Sequence, residues 1–156
     1  EDINIVADES QTQLRFNVKS DRILDFSANY GFTDNSGRRL GSIRRKGMRS
    51  IWKANYEIFD GSSNQVMNIQ EENGWVKVID SLAGELPIVG MFTGYFFNPS
   101  YLISKLDGTA VARLQKQPAF FEGKFLLTQL SPMSDEDETR VLLGVLTMTL
   151  LERSRG

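Results

Sequence analysis

Residues 134–153 read SDEDETRVLLGVLTMTLLER, and the fold turns on where the uncharged run Val141–Leu151 goes. It could enter a membrane, face a partner or fill the molecule's own interior. Ser134 followed three positions later by Asp137 is a variant of the capping box. Asp135, Glu136, Asp137 and Glu138 stand where the positive end of a helix dipole favours carboxylates, and Arg153 and Arg155 suit the negative end. A helix over about 135–153 is predicted. Its eleven central residues carry no charge on any face, the pattern of a helix surrounded by protein rather than one with a single apolar stripe. At 1.5 Å per residue they span about 17 Å, whereas a bilayer core is about 30 Å thick and takes roughly 20 apolar residues. The run therefore reads as an internal plug, with Leu143 and Leu146 both expected to be buried.

Upstream, period-two alternation recurs in Leu14, Phe16, Val18, then Leu24, Phe26, Ala28, Tyr30, Phe32, then Trp52, Ala54, Tyr56, Ile58. These are half-buried strands. Turn signals lie between and beyond them in TDNSGRR, FDGSSNQ, EENGW and KLDGTA, where Gly and Asn supply the positive φ that tight hairpins require. A weak internal repeat accompanies them. Phe32, Asp34, Gly37, Leu40 and Ile43 are echoed by Phe59, Asp60, Val66 and Ile69, and KLDGTAVARL is a third copy, two residues tighter. Stacked hairpins of this kind close into a sheet or barrel. The apolar segment 87–103, PIVGMFTGYFFNPSYLI, is interrupted by Gly90, Gly94 and Pro99 and reads as a buried strand joined to a loop. Lipid contact by Phe92, Tyr95, Phe96, Phe97 and Tyr101 is the other reading of its aromatic residues.

The chain of 156 residues suits one domain, 1–156, with its core from about Leu14 onward. It contains no cysteine and no histidine, which removes thiol nucleophiles, imidazole bases, the usual zinc sites and disulfides together. No nucleophile elbow, phosphate loop or dinucleotide fingerprint is present, and the expectation is a protein that is not an enzyme and uses no cofactor. Its 18 basic and 20 acidic side chains nearly cancel, which argues against nucleic acid as a partner. The chain begins with Glu1 rather than Met, which reads as an excised or processed piece.

The hairpin signature FTDNSGRRLGSIRRK with NYEIFDGSSNQVMNI, and the ending FLLTQLSPMSDEDETRVLLGVLTMTLLE, resemble the superfamily that joins the tubby C-terminal domain, the phospholipid scramblases and the LURP-one-related proteins. Phe125, Gln129, Pro132, Asp135, Asp137 and Gly144 fill positions comparable to those of the scramblase ending. The resemblance implies a mainly β protein with one long helix: a closed antiparallel barrel of about twelve strands enclosing the hydrophobic C-terminal helix. The tubby type looks like a phosphoinositide-binding module, and the scramblase type is associated with calcium-dependent lipid movement.

The strongest local feature is RRLGSIRRKGMRSIWK, in which Arg38, Arg39, Arg44, Arg45, Lys46, Arg49 and Lys53 place seven cations within sixteen residues. Each cation beside an anionic leaflet is worth about 1 kcal/mol, and arginine forks fit phosphate oxygens in pairs. The alternative is a solvated hairpin whose arginines pair with acids on neighbouring strands. Asp135–Glu138 with Glu122 could form a calcium site under the scramblase likeness, but the acids lack a following Gly bend, and helix capping also accounts for them. The expected function is a domain, peripheral to the membrane in the cytoplasm and monomeric, that binds anionic phospholipid headgroups through this cluster. A lipid-inert scaffold or stress-related interaction domain is the competing expectation.

Overall fold

The structure, a computed structural model, describes residues 2–7, 10, 13–21, 28–46, 55–72, 100–117 and 124–153. The strands are β1 (Asp2–Val6), β2 (Leu14–Ser20), β3 (Asn29–Asp34), β4 (Arg39–Arg45), β5 (Asn55–Asp60), β6 (Gln65–Glu71), β7 (Ser100–Lys105), β8 (Ala110–Gln117) and β9 (Lys124–Gln129). One helix, α1 (Asp135–Arg153), follows them. Each strand pairs antiparallel with the next, so the order across the nine-stranded sheet is the order along the chain. The protein is mostly β with a C-terminal helix, and α1 has the predicted bounds. Of the predicted strand residues, Leu24, Phe26, Trp52 and Ala54 lie outside the described residues, as do 87–99 of the apolar segment; its remainder opens β7, where Tyr101 and Ile103 are buried.

The internal repeat is a repeated hairpin. In β3–β4, β5–β6 and β7–β8 the residue that opens the turn (Asp34, Asp60, Lys105) donates its N–H to the carbonyl of Arg38, Asn64 or Thr109, at 3.1, 2.9 and 2.9 Å. Its own carbonyl accepts from Gly37, Ser63 or Gly108, at 3.0, 3.1 and 3.0 Å. Those three residues have φ of 81°, 69° and 87°. Each hairpin also shifts register at the same place, which leaves Leu40, Val66 and Val111 as bulged residues opposite no partner. Phe32, Ile58 and Ile103, the last paired residues before each shift, are fully buried. The equivalent of Phe32 is thus Ile58 rather than Phe59. The third copy is no shorter than the others: Lys105 takes the opening position, and its carboxylate sits two residues on, at Asp107.

Helix α1 lies against β3, β4 and β5. At Gly144 the helix lies close against the sheet: a Cβ there would stand 3.2 Å from Ile58 Cδ1 and 3.6 Å from Ile43 Cδ1. Val141, Leu143, Val145 and Met148 join Phe32, Ile43, Tyr56, Ile58 and Ile69 in one buried cluster. Buried Thr147 satisfies its hydroxyl by donating to the Leu143 carbonyl at 2.7 Å. Ser134 Oγ accepts from the Asp137 N–H at 3.2 Å, which gives the helix its N-cap. No helix among the described residues is long and apolar enough to cross a membrane.

Three expectations need correction. The closed barrel of about twelve strands is, among the described residues, an open sheet of nine, with β1 and β9 as unjoined edges. Closure depends on strand number, tilt and stagger together, none of which a pattern of hairpins specifies. The enclosed plug is likewise not fully enclosed, since one stripe of α1 stays open to solvent among the described residues. Leu142, Leu146 and Leu150, spaced four apart on one face of α1, are 51, 38 and 38% exposed, so Leu146 is not a core residue. The core also begins before Leu14, because Ile3 and Ile5 of β1 pack against it.

Candidate functional site

Strand alternation divides the basic cluster. Ile43 faces α1 and is fully buried, so Arg45 shares that inner face, whereas Arg44 and Lys46 face outward. Arg38 and Arg39 stand at the far end of β4, beside the turn, about 20 Å from Arg45 at 3.3 Å per residue. Arg49 and Lys53 lie outside the described residues. One run of sequence therefore supplies two groups of cations rather than a single patch.

The outward group is organised by one acid. Glu57, opposite Arg44 in the β4–β5 ladder, accepts from Arg44 Nη2 at 2.8 Å through Oε2, and Lys46 Nζ lies 3.3 Å from Oε1. Only 8% of the Glu57 side chain is exposed, against 46% for Arg44 and 62% for Lys46, so the acid lies beneath its cations. Burial pushes the Glu57 carboxyl up, but the hydrogen bonds and charges of Arg44 and Lys46 outweigh it and hold it below the ordinary glutamate value. Arg44 is further held by the ring of Phe59, whose centroid is 4.9 Å from Cζ. Asn68, facing Glu57 from β6, is neutral, and its side-chain oxygen accepts from Gln65 at 2.6 Å. Lys19, outward-facing beside buried Val18, reaches the same face two strands from β4. Asp2, opposite Lys19 in the β1–β2 ladder, lies on this face as well, so Arg44, Lys46 and Lys19 stand against two carboxylates, Glu57 and Asp2.

At the turn end, Arg38 pairs with Asp34 at 3.1 Å. The Asp34 carboxylate is lowered to about 2 from the model-compound value of 3.8 by hydrogen bonds from the Ser36 hydroxyl first, then from the Arg38 N–H and guanidinium and the Ser36 N–H. Asp60 and Asp107 do the same for their turns, each held low chiefly by the backbone N–H of Asn64 or Thr109. Arg39 joins Arg38, Asp60 and the start of α1 around a hollow of about 650 Å³. Arg140, 13% exposed, lies in the same wall and donates to Asp137 (2.9 Å), Glu136 (2.8 Å) and the carbonyl of the bulged Leu40 (2.9 Å). It fastens the first turn of α1 to β4.

Of the five described cations of the cluster, Arg38, Arg44 and Lys46 are thus paired with acids, as the solvated-hairpin reading expects, while Arg39 and Arg45 have no ion pair among the described residues. Glu57, Phe59, Lys19 and Arg140 did not emerge from the sequence as site residues. Alternation marks Lys19 as outward, but only the register brings it beside β4. The acids Glu136 and Asp137 are committed to Arg140, and no group of three or more acids among the described residues is arranged to hold a metal; Glu122 lies outside them.

The LURP-one-related family model matches residues 1–130, a span that takes in the nine strands among the described residues and stops before α1. No curated protein and no solved structure matches the chain.

Proposed function

The chain belongs to the LURP-one-related family, within the tubby-like C-terminal domain superfamily, and from that premise we propose a non-enzymatic domain that binds anionic phospholipid headgroups. The observation that carries the reading is the outward face of β4, where Arg44 and Lys46 stand exposed over a single acid and Lys19 lies nearby. Arg44 offers further donors in the fixed fork that suits phosphate, and Lys46 adds a mobile point charge. Arg49 and Lys53, in the sequence beyond β4, belong to the same proposed site, whereas Arg45 stands on the inner face of β4. Attachment of this kind is peripheral and reversible, at the cytoplasmic leaflet, by a monomer without a cofactor. Flotation with vesicles tests it: binding to phosphatidylserine-containing but not to pure phosphatidylcholine vesicles is expected, and reversal of Arg44 and Lys46 to Glu should abolish it. Equal binding to both vesicles, or survival of binding in the double variant, would overturn it.

A second reading, a lipid-inert interaction domain, is favoured by β9. Phe125 and Leu126, on opposite faces of this edge strand, are 43 and 49% exposed, the form of a strand that accepts an added peptide strand. A stoichiometric protein partner lost on Phe125→Glu and Leu126→Glu, with no vesicle binding by the wild type, would establish it instead.

A further inference from the structure

The cations proposed to meet the headgroup are already occupied by an anion of the chain itself. Glu57 gives one carboxylate oxygen to Arg44 Nη2, at 2.8 Å, and the other to Lys46 Nζ, at 3.3 Å. Two oxygens of one phosphate group would engage the same two donors in the same divided manner. The acid is nearly buried while both cations keep an open solvent side, so an arriving phosphate meets them from above without disturbing the strands. Arg44 is independently braced by Phe59, 4.9 Å from its Cζ, and does not depend on Glu57 alone for its place. Asn68, the facing residue on β6, contributes no charge.

We propose that Glu57 is an internal counter-anion that stands in for a headgroup phosphate on Arg44 and Lys46 and thereby restrains the affinity of this face for phosphate-bearing surfaces. The proposal rests on the lipid-binding reading and adds a regulating residue to it. A phosphate that binds here competes with Glu57 for both donors. Replacing the acid with a neutral amide therefore adds one net positive charge and leaves the two donors a single acceptor oxygen in place of two.

The experiment compares wild type with Glu57→Gln on phosphatidylcholine vesicles, alone and with added phosphatidylserine or phosphatidylinositol phosphate. Glu57→Gln should bind the anionic vesicles about fivefold more tightly, the effect of one added charge at an anionic surface, and the neutral vesicles no better. The gain should vanish when Arg44→Gln is combined with it. Inorganic phosphate, at an ionic strength matched with chloride, separates the sources of the ligand. If phosphate raises the melting temperature of Glu57→Gln more than that of wild type, the phosphate group itself is recognised; a gain on vesicles alone assigns it to the lipid surface. Unchanged or weaker binding by folded Glu57→Gln, with wild-type binding intact, overturns the counter-anion and leaves the lipid reading standing. Absence of binding by both proteins to every vesicle overturns both. Should Glu57→Gln fail to fold, Asn68→Asp decides in its place, because a second acid facing Glu57 should weaken anionic binding about fivefold. No change there overturns the proposal.

Discussion

Ile43 and Arg44 are consecutive in β4, yet Ile43 lies beneath Gly144 of α1, fully buried, while Arg44 faces solvent across the sheet. Their ladder partners repeat the contrast: Ile58 faces the helix and Glu57 faces away. Fold and candidate site are therefore interleaved residue by residue along two strands. The inner face is held by apolar contact and responds to volume, whereas the outer responds to charge. Substitutions on the two faces should have separable consequences, stability for one and association for the other.

The largest expected effect divides α1 in the same way. Leu143→Asp places an unpaired charge in the cluster of Val141, Val145 and Met148 and should cost more than about 4 kcal/mol, enough to unfold the domain. Leu146→Asp, on the stripe open to solvent, should cost less than about 1 kcal/mol. Thermal melts followed by circular dichroism measure both. Equal loss in the two variants would mean that α1 is enclosed on every side and that its exposed stripe is wrong.

On the sheet, Ile58→Ala should cost about 2–5 kcal/mol, because the side chain fills the space between β5 and Gly144 and a cavity would remain. The outward counterpart, Arg44→Gln, removes an ion pair that is about half exposed on the arginine side and should change stability by less than about 1 kcal/mol. Its effect belongs to association: about fivefold weaker binding to anionic vesicles. A large fall in melting temperature for Arg44→Gln, with vesicle binding untouched, would reduce the outer face to a structural ion pair.

Acid titration probes the turn that joins the two strands of the first hairpin. The Asp34 carboxyl is lowered to about 2 in the fold against an ordinary 3.8, so the folded state favours its ionised form. The stability it contributes is present above about pH 4 and is lost as the pH falls toward 2. Asp34→Asn should flatten the decline in melting temperature over that interval. A decline of the same slope in the variant would assign acid sensitivity to other carboxylates.

The parts of this molecule that depend on local rules were legible in its sequence. Helix α1 was, because Ser134, the acids behind it and the arginines at its end all act within a turn or two. The hairpin repeat was also legible, since turn chemistry and period-two alternation are read from a few consecutive residues. The open sheet was not, because nothing local states whether β1 and β9 meet. The coverage of α1 was hidden for the same reason: an uncharged helix looks alike whether sheet surrounds it or lies on one side. The basic cluster was conspicuous, but its division was a matter of register. Pairing Arg44 with Glu57 required the β4–β5 ladder, thirteen residues apart in sequence. Lys19 joins the outer face only through two successive pairings.

The smallest expected effect compares the three hairpins with one another. Gly37 and Gly108 occupy the turn position with φ of 81° and 87°, and Ser63 occupies it at 69°. A residue with a Cβ in this region is strained by roughly 1–2 kcal/mol, and Ser63 is the non-glycine that bears the strain among the described residues. Glycine removes the strain but has more freedom to lose on folding, an opposing cost of about 0.5–1 kcal/mol. Ser63→Gly should therefore stabilise the domain by roughly 0.5–1 kcal/mol. The turn's hydrogen bonds among the described residues are backbone–backbone or accepted by the Asp60 carboxylate, from the N–H groups of Ser62 and Asn64 and the Asn64 side-chain amide, and none uses the Ser63 side chain. Because the hairpin lies at the turn end of the sheet, anionic vesicle binding should not move. A fall in melting temperature would show that the second hairpin is not the equivalent of the other two, and that its serine is held there by something the repeat does not contain.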